Sequence, residues 1–479
     1  MKILPDTALT YDDVLLVPQY SAVDSRRILS TQTRLTNQIT LQIPIVSANM
    51  DVVTESEMAI AMAREGGIGI IHRFLPIAEQ ARQIERVKKA ESFIVENPIT
   101  MTLAHTVGDL NKIVADTGTG GILILDDDGK LVGIVTTRDL LFEDDDGRPL
   151  REIMQKKVIS APPGISLKDA KKMLHEHRIE KLPLVDNDGR IAGLVTLKDI
   201  MKITQYPKAT KDSRGRLIVG AAVGVRDHEM RRVESALQAG ADCIVVDIAH
   251  GDSQLEIDMI KNIRRHFPKA QIIGGNVATA DGTKRLIDAG ADAVKVGVGP
   301  GSICITRIVA GSGVPQLTAV IECAKAAEPA GIPIIADGGI RQPGDLAKAI
   351  AAGAQTAMIG SLLAGTDESP GLMMTRKGHR YKASRGMASR EANIDRNLNE
   401  GNDLTQEELD EYVAEGVEAA VPYRGRAREV LTQLIGGLQS GMSYSGATSL
   451  EDFRKKAIFV KITGAGLRES GPHDVEVLG

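Results

Sequence analysis

The 479-residue chain lacks tryptophan and has only three cysteines, six phenylalanines and seven tyrosines. Three cysteines at wide, unrelated spacings offer neither a disulfide framework nor a zinc knuckle, which indicates a reducing compartment and predicts a cytoplasmic location. No apolar run reaches the ~20 residues that a membrane-spanning helix needs. The opening MKILPDTALTYDD becomes polar within a few residues, which argues against a cleavable leader.

A strong positive charge is missing too, since the formal net charge is −5. Nucleic acids and acidic membranes are normally met by clustered lysine and arginine, so the composition argues against both as partners and favours a small molecule. Hydrophobic residues make up 43% of the chain. A chain of this length and composition can build two or three domains, each with its own core.

Glycine, by contrast, is abundant, and 48 glycines are spread along the chain. Many of them end short runs rich in valine and isoleucine, each followed by a helical pattern. Continuous apolar strands are buried on both faces, and strand–helix alternation indicates a parallel sheet. Eight such units predict a (β/α)8 TIM barrel, with an open α/β sheet as the alternative. The predicted strands lie at 43–50, 66–72, 217–224, 242–251, 271–278, 292–299, 332–339 and 354–361.

A repeated strand entry supports this interpretation. The segments LQAGADC (237–243), LIDAGADA (286–293) and IAAGAQTA (350–357) each place a glycine where a helix should stop before the next strand.

The pattern changes between the second and third predicted strands, over roughly residues 94–205. GILILDDDGKLVGIVTTRDL (121–140) is echoed by KLPLVDNDGRIAGLVTLKDI (181–200), and each copy is typical of a strand, an Asp/Asn-Gly turn, a second strand and a helix start. This insertion resembles a tandem CBS pair (a Bateman domain), with copies at about 94–150 and 151–205. The catalytic barrel would then comprise residues 1–93 and 206–479.

The CBS resemblance implies a regulatory module that binds an adenine or guanine nucleotide such as ATP or GTP. In that family the aspartate of a final T-x-x-D holds a ribose. Simple capping of the following helices by the same side chains is the alternative. The residues concerned are Thr136, Asp139, Thr196 and Asp199.

Barrel enzymes carry their chemistry where the strands end. The sixth predicted strand is followed by GVGPGSIC, the seventh by Asp337-Gly338-Gly339 and the eighth by Gly360-Ser361. Glycine amides after strands seven and eight match the phosphate site of such barrels. We therefore expect a nucleoside monophosphate whose ribose hydroxyls bind Asp337. Its phosphate is expected on Ser302, Gly339, Gly360 and Ser361.

Cys304 lies in VGVGPGSICITRIVAG (296–311). A lone cysteine is more often a packing residue than a catalyst. A glycine-rich loop beside a phosphate site is too exposed for packing and can favour the thiolate, so we predict that Cys304 is a nucleophile. Cys243, in a strand, and Cys323, in a helix, are expected to pack.

Motifs along nearly the whole chain resemble the IMP dehydrogenase/GMP reductase family: LTYDDVLLVPQYS, IPIVSANMD, GGNVATA, GVGPGSICITRIVAGSGVPQLTA, IIADGGI, GSLLAGTDESPG, RGMAS, EGVEAAVPY and ITGAGLRESGPHDV. The resemblance implies that Cys304 adds to C2 of a purine nucleotide and forms a thioimidate. In the dehydrogenase, IMP passes hydride to NAD and water then releases XMP. In the reductase, GMP loses ammonia and NADPH supplies the hydride that gives IMP.

The resemblance also implies the roles of individual residues. The catalytic set would be Cys304, Thr306, Arg396 and Glu415, with a mobile flap over residues 380–425. The substrate site would comprise Ser47, Met50, Asn276, Ser302, Asp337, Gly338, Gly339, Gly360, Ser361, Met387 and Ala388. The NAD site would comprise Asp247, Ser253, Asn276, Arg307 and Tyr444.

A monovalent cation and an assembly are implied in the same way. The family's potassium ion would be held by carbonyl groups of Gly299, Gly301 and Cys304, with a second set from a neighbouring subunit, matching Glu469, Ser470 and Gly471. Carbonyl oxygens suit a hard cation. A homotetramer is implied, with an octamer as a further possibility through the CBS pairs.

Several positions depart from the usual dehydrogenase pattern. The flap sequence MASREANIDRNLNEG has Asp395-Arg396-Asn397 where the Arg-Tyr pair is usual, and Ser384 replaces a usual tyrosine. TRIVAG, AHGDS, the inserted pair and the LRESGPHD tail are instead typical of dehydrogenases. We therefore expect oxidation of IMP to XMP with NAD. Reduction of GMP with NADPH is the alternative, and a nucleotide sensor without catalysis is a more distant one.

Overall fold

The computed structural model describes residues 3–4, 6–91, 94–141, 143–399, 405, 408 and 411–472, without the side chains of 202–205, 396, 398 and 399. Eight parallel strands close into a barrel. Each lies inside one of the predicted apolar runs, so the TIM-barrel prediction is confirmed. The strands are β1 (Ile45–Ser47), β2 (Ile68–Ile71), β3 (Gly220–Val223), β4 (Cys243–Asp247), β5 (Ile272–Val277), β6 (Ala293–Val296), β7 (Ile334–Asp337) and β8 (Thr356–Ile359).

The barrel closes where β8 pairs with β1, opposing Met358 to Val46. Almost every strand residue is buried, because the barrel interior lies on one face and helices cover the other. The barrel helices are α1 (Ser56–Arg64), α2 (Ile77–Ala90), α3 (Met230–Gln238), α4 (Gln254–His266), α5 (Ala280–Ala289), α6 (Gln316–Ala327), α7 (Pro343–Ala351) and α8 (Ala427–Tyr444).

The three repeated glycines end their helices as predicted. Gly240, Gly290 and Gly353 have φ angles of +98°, +107° and +117°, a backbone region that residues other than glycine rarely adopt. Two residues after each of these glycines, a polar side chain accepts a hydrogen bond from the backbone amide at the start of a neighbouring strand segment. For example, Asp292 Oδ2 accepts the amide of Ile272 at 2.8 Å. The repeated motif therefore both ends a helix and fixes the start of a strand.

Residues Glu91–Pro207 and Ser213–Arg216 form a second compact unit. It contains two three-stranded sheets, and each sheet includes one of the predicted hairpins. The strands are Thr100–Thr102, Gly121–Leu125 and Leu131–Thr136 in one sheet, and Ile94–Val95, Lys181–Val185 and Ile191–Thr196 in the other. The helices are Val107–Thr117, Thr137–Leu140, Leu150–Ile153, Leu167–Glu176 and Leu197–Gln205.

The chain between β8 and α8 forms an antiparallel three-stranded sheet, with strands Met373–Arg376, His379–Arg385 and Glu418–Pro422, and a helix over Arg390–Asn399. Smaller elements complete the barrel unit: the strand pairs Val14–Leu16 with Phe459–Lys461 and Thr33–Arg34 with Thr40–Leu41, the 3-10 helices Tyr11–Asp13, Arg26–Ile28, Asp227–Glu229 and Glu328–Ala330, and the helices Thr306–Val309, Ser361–Ala364, Leu450–Lys456 and Gly464–Glu469. Within the described ranges, no helix has both the length and the apolarity to cross a membrane.

Candidate active site

Two adjoining cavities lie at the carboxyl ends of the barrel strands. They share Met50, Gly301, Gly338 and Asp337 in their walls and so form one cleft. The first cavity, of about 250 Å³, is also lined by the predicted residues Ser302, Arg307, Gly339, Gly360 and Ser361. The second, of about 380 Å³, is also lined by the predicted residues Asp247, Asn276, Gly299, Cys304, Thr306, Met387, Ala388 and Glu415.

The predicted nucleophile is part of a short proton relay. Cys304 Sγ lies 3.2 Å from Thr306 Oγ1, and the Thr306 hydroxyl donates to Glu415 Oε2 at 2.7 Å. A hydroxyl placed between a thiol and a carboxylate can pass a proton from one to the other. The structure thus brings three of the four predicted catalytic residues together.

Backbone hydrogen bonds hold Glu415 beside the cysteine loop. The Ile305 amide donates to the Glu415 carbonyl at 2.9 Å, and the Val417 amide donates to the Ile303 carbonyl at 3.1 Å. The crossing is tight, because a Cβ on Gly416 would lie 3.1 Å from the Gly386 Cα. Small residues at this crossing let the acid reach Thr306, beside the predicted nucleophile, across 109 residues of sequence.

The three cysteines differ in their burial. Cys304 is half-buried in the cleft, whereas Cys243 and Cys323 are fully buried. Burial raises the pKa of the Cys323 thiol to about 11 and raises that of Cys243 further. Buried, protonated thiols are poor nucleophiles, so only Cys304 is placed for covalent chemistry.

A buried lysine joins the two ends of the cleft, and the sequence patterns did not point to it. Lys295 Nζ donates to Asp247 Oδ1 at 2.9 Å, to Asp337 Oδ2 at 3.0 Å and to Asn276 Oδ1. Asn276 Nδ2 also donates to Asp337 Oδ2 at 2.9 Å. The signal was its position within the apolar run DAVKVGVG, because a charge inside a strand buried on both faces needs partners.

This ion cluster sets the charge of the cleft. Burial raises the pKa of Asp247, but the Lys295 ammonium outweighs it, and the net shift is downward. Burial likewise lowers the pKa of Lys295, yet the two carboxylates outweigh it and hold the lysine charged. Asp247, at the end of β4, is therefore an anionic acceptor at neutral pH, and the same ammonium also bonds Asp337 at the end of β7.

The first cavity has the features of an anion site. Gly338 and Gly339, with φ angles of +92° and +80°, turn the chain sharply after β7. Gly360 precedes the short helix Ser361–Ala364. Backbone amides exposed by glycine and a serine hydroxyl are suitable donors to phosphate oxygens.

A flap arginine ties the flap to the barrel. Arg385 Nε donates to Asp51 Oδ2 at 2.7 Å, and Arg385 Nη2 lies 2.7 Å from Asp395 Oδ2. Asp395 lies on the flap helix next to the predicted catalytic residue Arg396, whose own side chain lies outside the described part of the chain. The bridge therefore anchors the helix that carries this residue.

Several predicted site residues line neither cavity. Ser47 is fully buried, and its hydroxyl accepts the Thr54 hydroxyl at 2.8 Å. Ser253 caps α4. Tyr444 is 60% exposed at the end of α8, where Arg26 lies over its ring. The tail residues Glu469, Ser470 and Gly471 also line neither cavity.

The second unit has a cavity of about 390 Å³ of its own. Of the predicted regulatory residues, Thr136 lines it, and the Thr136 hydroxyl donates to Asp139 Oδ2 at 2.7 Å as part of a helix cap. Thr196 and Asp199 make the same pair at 2.5 Å but do not line this cavity. Four cationic side chains add positive charge to its walls: Arg138, Lys157, Arg178 and Lys181.

Known proteins resemble this chain over nearly its full length. Inosine-5′-monophosphate dehydrogenase of Nitrosopumilus maritimus is 54% identical over 468 residues, 98% of each chain. GMP reductase of Leishmania donovani is 47% identical over 485 residues, 99% of this chain and 98% of the relative. The crystal structure of a GMP reductase from Trypanosoma brucei in complex with guanosine 5′-monophosphate has a TM-score of 0.88 at 46% identity, covering 98% of both chains.

The sequence model of the family described as the IMP dehydrogenase / GMP reductase domain matches residues 8–473 of this chain. That range includes every strand of the barrel, the cysteine loop and the flap. This match and the relatives of about 50% sequence identity over nearly the full length show that the chain belongs to the IMP dehydrogenase / GMP reductase family.

Proposed function

We propose that the protein oxidises IMP to XMP with NAD as hydride acceptor, which is the committed step of guanine nucleotide synthesis. The observation that carries this is the Cys304–Thr306–Glu415 relay, which lies in a cleft with an anion site at one end and Asp247 at the other. Relatives named inosine-5′-monophosphate dehydrogenase, at 49% to 54% identity, support the dehydrogenase direction.

The residues support a two-stage reaction. Cys304 loses its proton through Thr306 to Glu415, and its sulfur adds to C2 of the purine. Loss of hydride from C2 leaves a thioimidate on Cys304; bound NAD supplies the acceptor for that hydride. Water then adds to the same carbon, its proton leaves through a base, and the C–S bond breaks to free XMP and the thiol. Covalent attachment divides one difficult oxidation into two easier steps.

The flap base and the domain roles belong to the same proposal. We place the water-activating role on Arg396, in the flap over residues 380–425. The barrel from residues 1–93 and 206–479 is the catalytic domain, and residues 94–205 are a CBS pair. The cationic cavity in the second unit supports an anionic nucleotide such as ATP or GTP as its ligand.

The cleft fits a nicotinamide cofactor and a monovalent cation. A carboxylate such as that of Asp247 is a suitable acceptor for ribose hydroxyls, and it lines the same cavity as Cys304.

Potassium would bind main-chain carbonyl groups of the glycine-rich loop, an oxygen donor set that hard cations take. The tail of a neighbouring subunit would complete the site, in a homotetramer or octamer.

Three unpaired cysteines support a cytoplasmic setting.

A paired assay tests the reaction. Purified protein is given IMP plus NAD, and separately GMP plus NADPH, while the absorbance of the reduced cofactor is followed. We expect turnover with the first pair. Turnover with the second pair alone would make the protein a reductase like its Leishmania and Trypanosoma relatives, and no turnover with either would favour a sensor.

Two variants locate the chemistry. Cys304→Ala should bind IMP without turnover. Arg396→Ala should transfer hydride in a single turnover at a nearly unchanged rate but release XMP slowly, because only the hydrolytic stage needs the flap base. Equal slowing of both stages would contradict the role of Arg396.

A further inference from the structure

We infer that Arg341, held in place by Asp12, is a binding residue for the phosphate of the nucleotide. This rests on the proposed function, because it assigns a further contact to the same substrate. Both side chains line the cavity of about 250 Å³ that also contains Ser302, Gly339 and Ser361. Their partnership spans 329 residues of sequence, so no local pattern indicates it.

The guanidinium of Arg341 keeps donors available for an anion. Its Nη2 donates to Asp12 Oδ1 at 2.5 Å and to Asp12 Oδ2 at 2.6 Å, and its Nε lies 3.9 Å from Asp345 Oδ2. Among the described residues, none bonds Nη1. An arginine carries five N–H donors in a planar fork, so the two on Nη1 can be offered to a phosphate oxygen.

The second arginine in the cavity is already engaged. Arg307 donates through Nε and Nη2 to the Val298 carbonyl at 3.3 and 3.2 Å, and through Nη2 to the Val314 carbonyl at 2.6 Å. These bonds shape the cysteine loop. Both arginines leave Nη1 without an acceptor among the described residues, but Arg307 is tied to two main-chain carbonyls of the cysteine loop, whereas Arg341, just after the end of β7, is tied to the Asp12 side chain.

The charges in the cavity also favour this role. Two aspartates, Asp12 and Asp337, balance the two arginines in its lining. A phosphate group brings up to two further negative charges, and the serine hydroxyls and glycine amides donate hydrogen bonds without any net charge. A charge-assisted contact is roughly twice as strong as a neutral one, so a contact from Arg341 would favour a nucleotide over a nucleoside.

Asp12 is a positioning residue, and its segment is firmly anchored. The Tyr11 side chain is fully buried, with a ring carbon 3.3 Å from where a Cβ on Gly339 would lie. The Tyr11 carbonyl accepts Lys348 Nζ at 2.9 Å, and the Leu9 carbonyl accepts the Thr318 amide at 3.1 Å. Asp12 thus aims Arg341 into the cavity, while its own negative charge opposes the phosphate.

These opposed effects give the test. Binding of IMP and of inosine to the intact protein is measured by calorimetry, without cofactor, for wild type, Arg341→Gln, Arg341→Lys and Asp12→Asn. Arg341→Gln should weaken IMP about tenfold, the loss of one charged hydrogen bond, and leave inosine within about twofold. Arg341→Lys should recover part of the loss. Asp12→Asn keeps an acceptor for Arg341 but removes the charge, so IMP should bind as tightly as to wild type or more tightly.

Arg285 provides a matched control. It pairs with both oxygens of Asp252 at 2.6 Å and is exposed to a similar extent as Arg341, 51% against 57%, but it lines neither cavity. Arg285→Gln should leave IMP binding unchanged. Raising the salt concentration should weaken IMP binding to wild type more than to Arg341→Gln, because salt screens the lost charge.

The outcomes separate two kinds of failure. If wild type does not prefer IMP to inosine, the proposed nucleotide function is wrong. If wild type does prefer IMP but Arg341→Gln keeps that preference, Arg341 does not bind phosphate. Equal weakening of IMP by Arg341→Gln and Asp12→Asn would show that the pair is only a structural ion pair, and would also overturn the inference.

Discussion

Lys295→Met should disable the cleft in a way that a general loss of stability cannot reproduce. The lysine is buried between Asp247 and Asp337, and methionine keeps its length and removes its charge. Since both carboxylates bond the same ammonium, they lie at most about 6 Å apart, and at an effective dielectric constant of about 20 their repulsion reaches about 3 kcal/mol.

The altered charge has a measurable consequence. Without the ammonium, two neighbouring buried carboxylates repel each other, so the pair should keep a proton to a higher pH than in wild type. The pH profile of kcat/KM should therefore gain an ionisation above the usual carboxylate range in Lys295→Met, while KM rises for both IMP and NAD because the two proposed ribose acceptors move. Lys295→Arg keeps the charge and should not gain that ionisation.

Lys88 offers the control. It is equally buried and also bridges two carboxylates, Asp212 at 3.1 Å and Asp242 at 2.6 Å, but it lines neither cavity of the cleft. Each lysine-to-methionine variant should lose about 3–5 kcal/mol of unfolding free energy, the cost of removing the ammonium from a buried ion cluster. The reasoning is refuted if Lys295→Met shows the same KM values and pH profile as Lys88→Met.

Three further outcomes follow from the contacts of the cleft. Glu415→Gln keeps a partner for Thr306 but cannot accept its proton, so kcat should fall about 10²-fold or more with IMP affinity unchanged; a kcat within twofold of wild type would contradict the relay. Gly416→Ala puts a Cβ 3.1 Å from the Gly386 Cα and should lower both kcat and thermal stability, whereas Gly436→Ala, which meets nothing within 4 Å, should be neutral or stabilising in a melting curve. Because the pKa of Asp247 lies below its ordinary value of 3.8 in the folded protein, the stability that it contributes is present above that value and is lost as the pH falls through the folded pKa. Asp247→Asn should therefore flatten the fall in melting temperature below about pH 4, and an unchanged slope would argue against the ion cluster.

The barrel could be predicted because its cause is local. A strand that is buried on both faces is mostly apolar, and glycine such as Gly290 is favoured where a helix ends with a positive φ. The cysteine loop was recognisable for a similar reason, since its glycines, serine and cysteine are consecutive. These features need no knowledge of distant partners.

The contacts that complete the site are long-range, and the patterns therefore did not show them. Lys295 is a single letter in an apolar run, and its partners Asp247 and Asp337 lie 48 and 42 residues away. Arg341 and Asp12 meet only because the start of the chain folds over the end of β7. The resemblance named Ser47 and Tyr444, but the fold of this single chain puts neither in the cleft.

The backbone hydrogen bonds beside Cys304 indicate that one part of the flap, residues 389–414, can be exchanged as a unit. The segment between Ala388 and Glu415 leaves and returns at one point, where the Glu415 amide donates to the Ala388 carbonyl at 3.0 Å. Main-chain bonds at that junction do not depend on side chains, so the intervening residues can be replaced without changing how the ends meet. If the proposed function holds, chimaeras that carry residues 389–414 of a GMP reductase relative should show whether this segment selects the second stage of the reaction, while Cys304, the proposed nucleophile, stays in place.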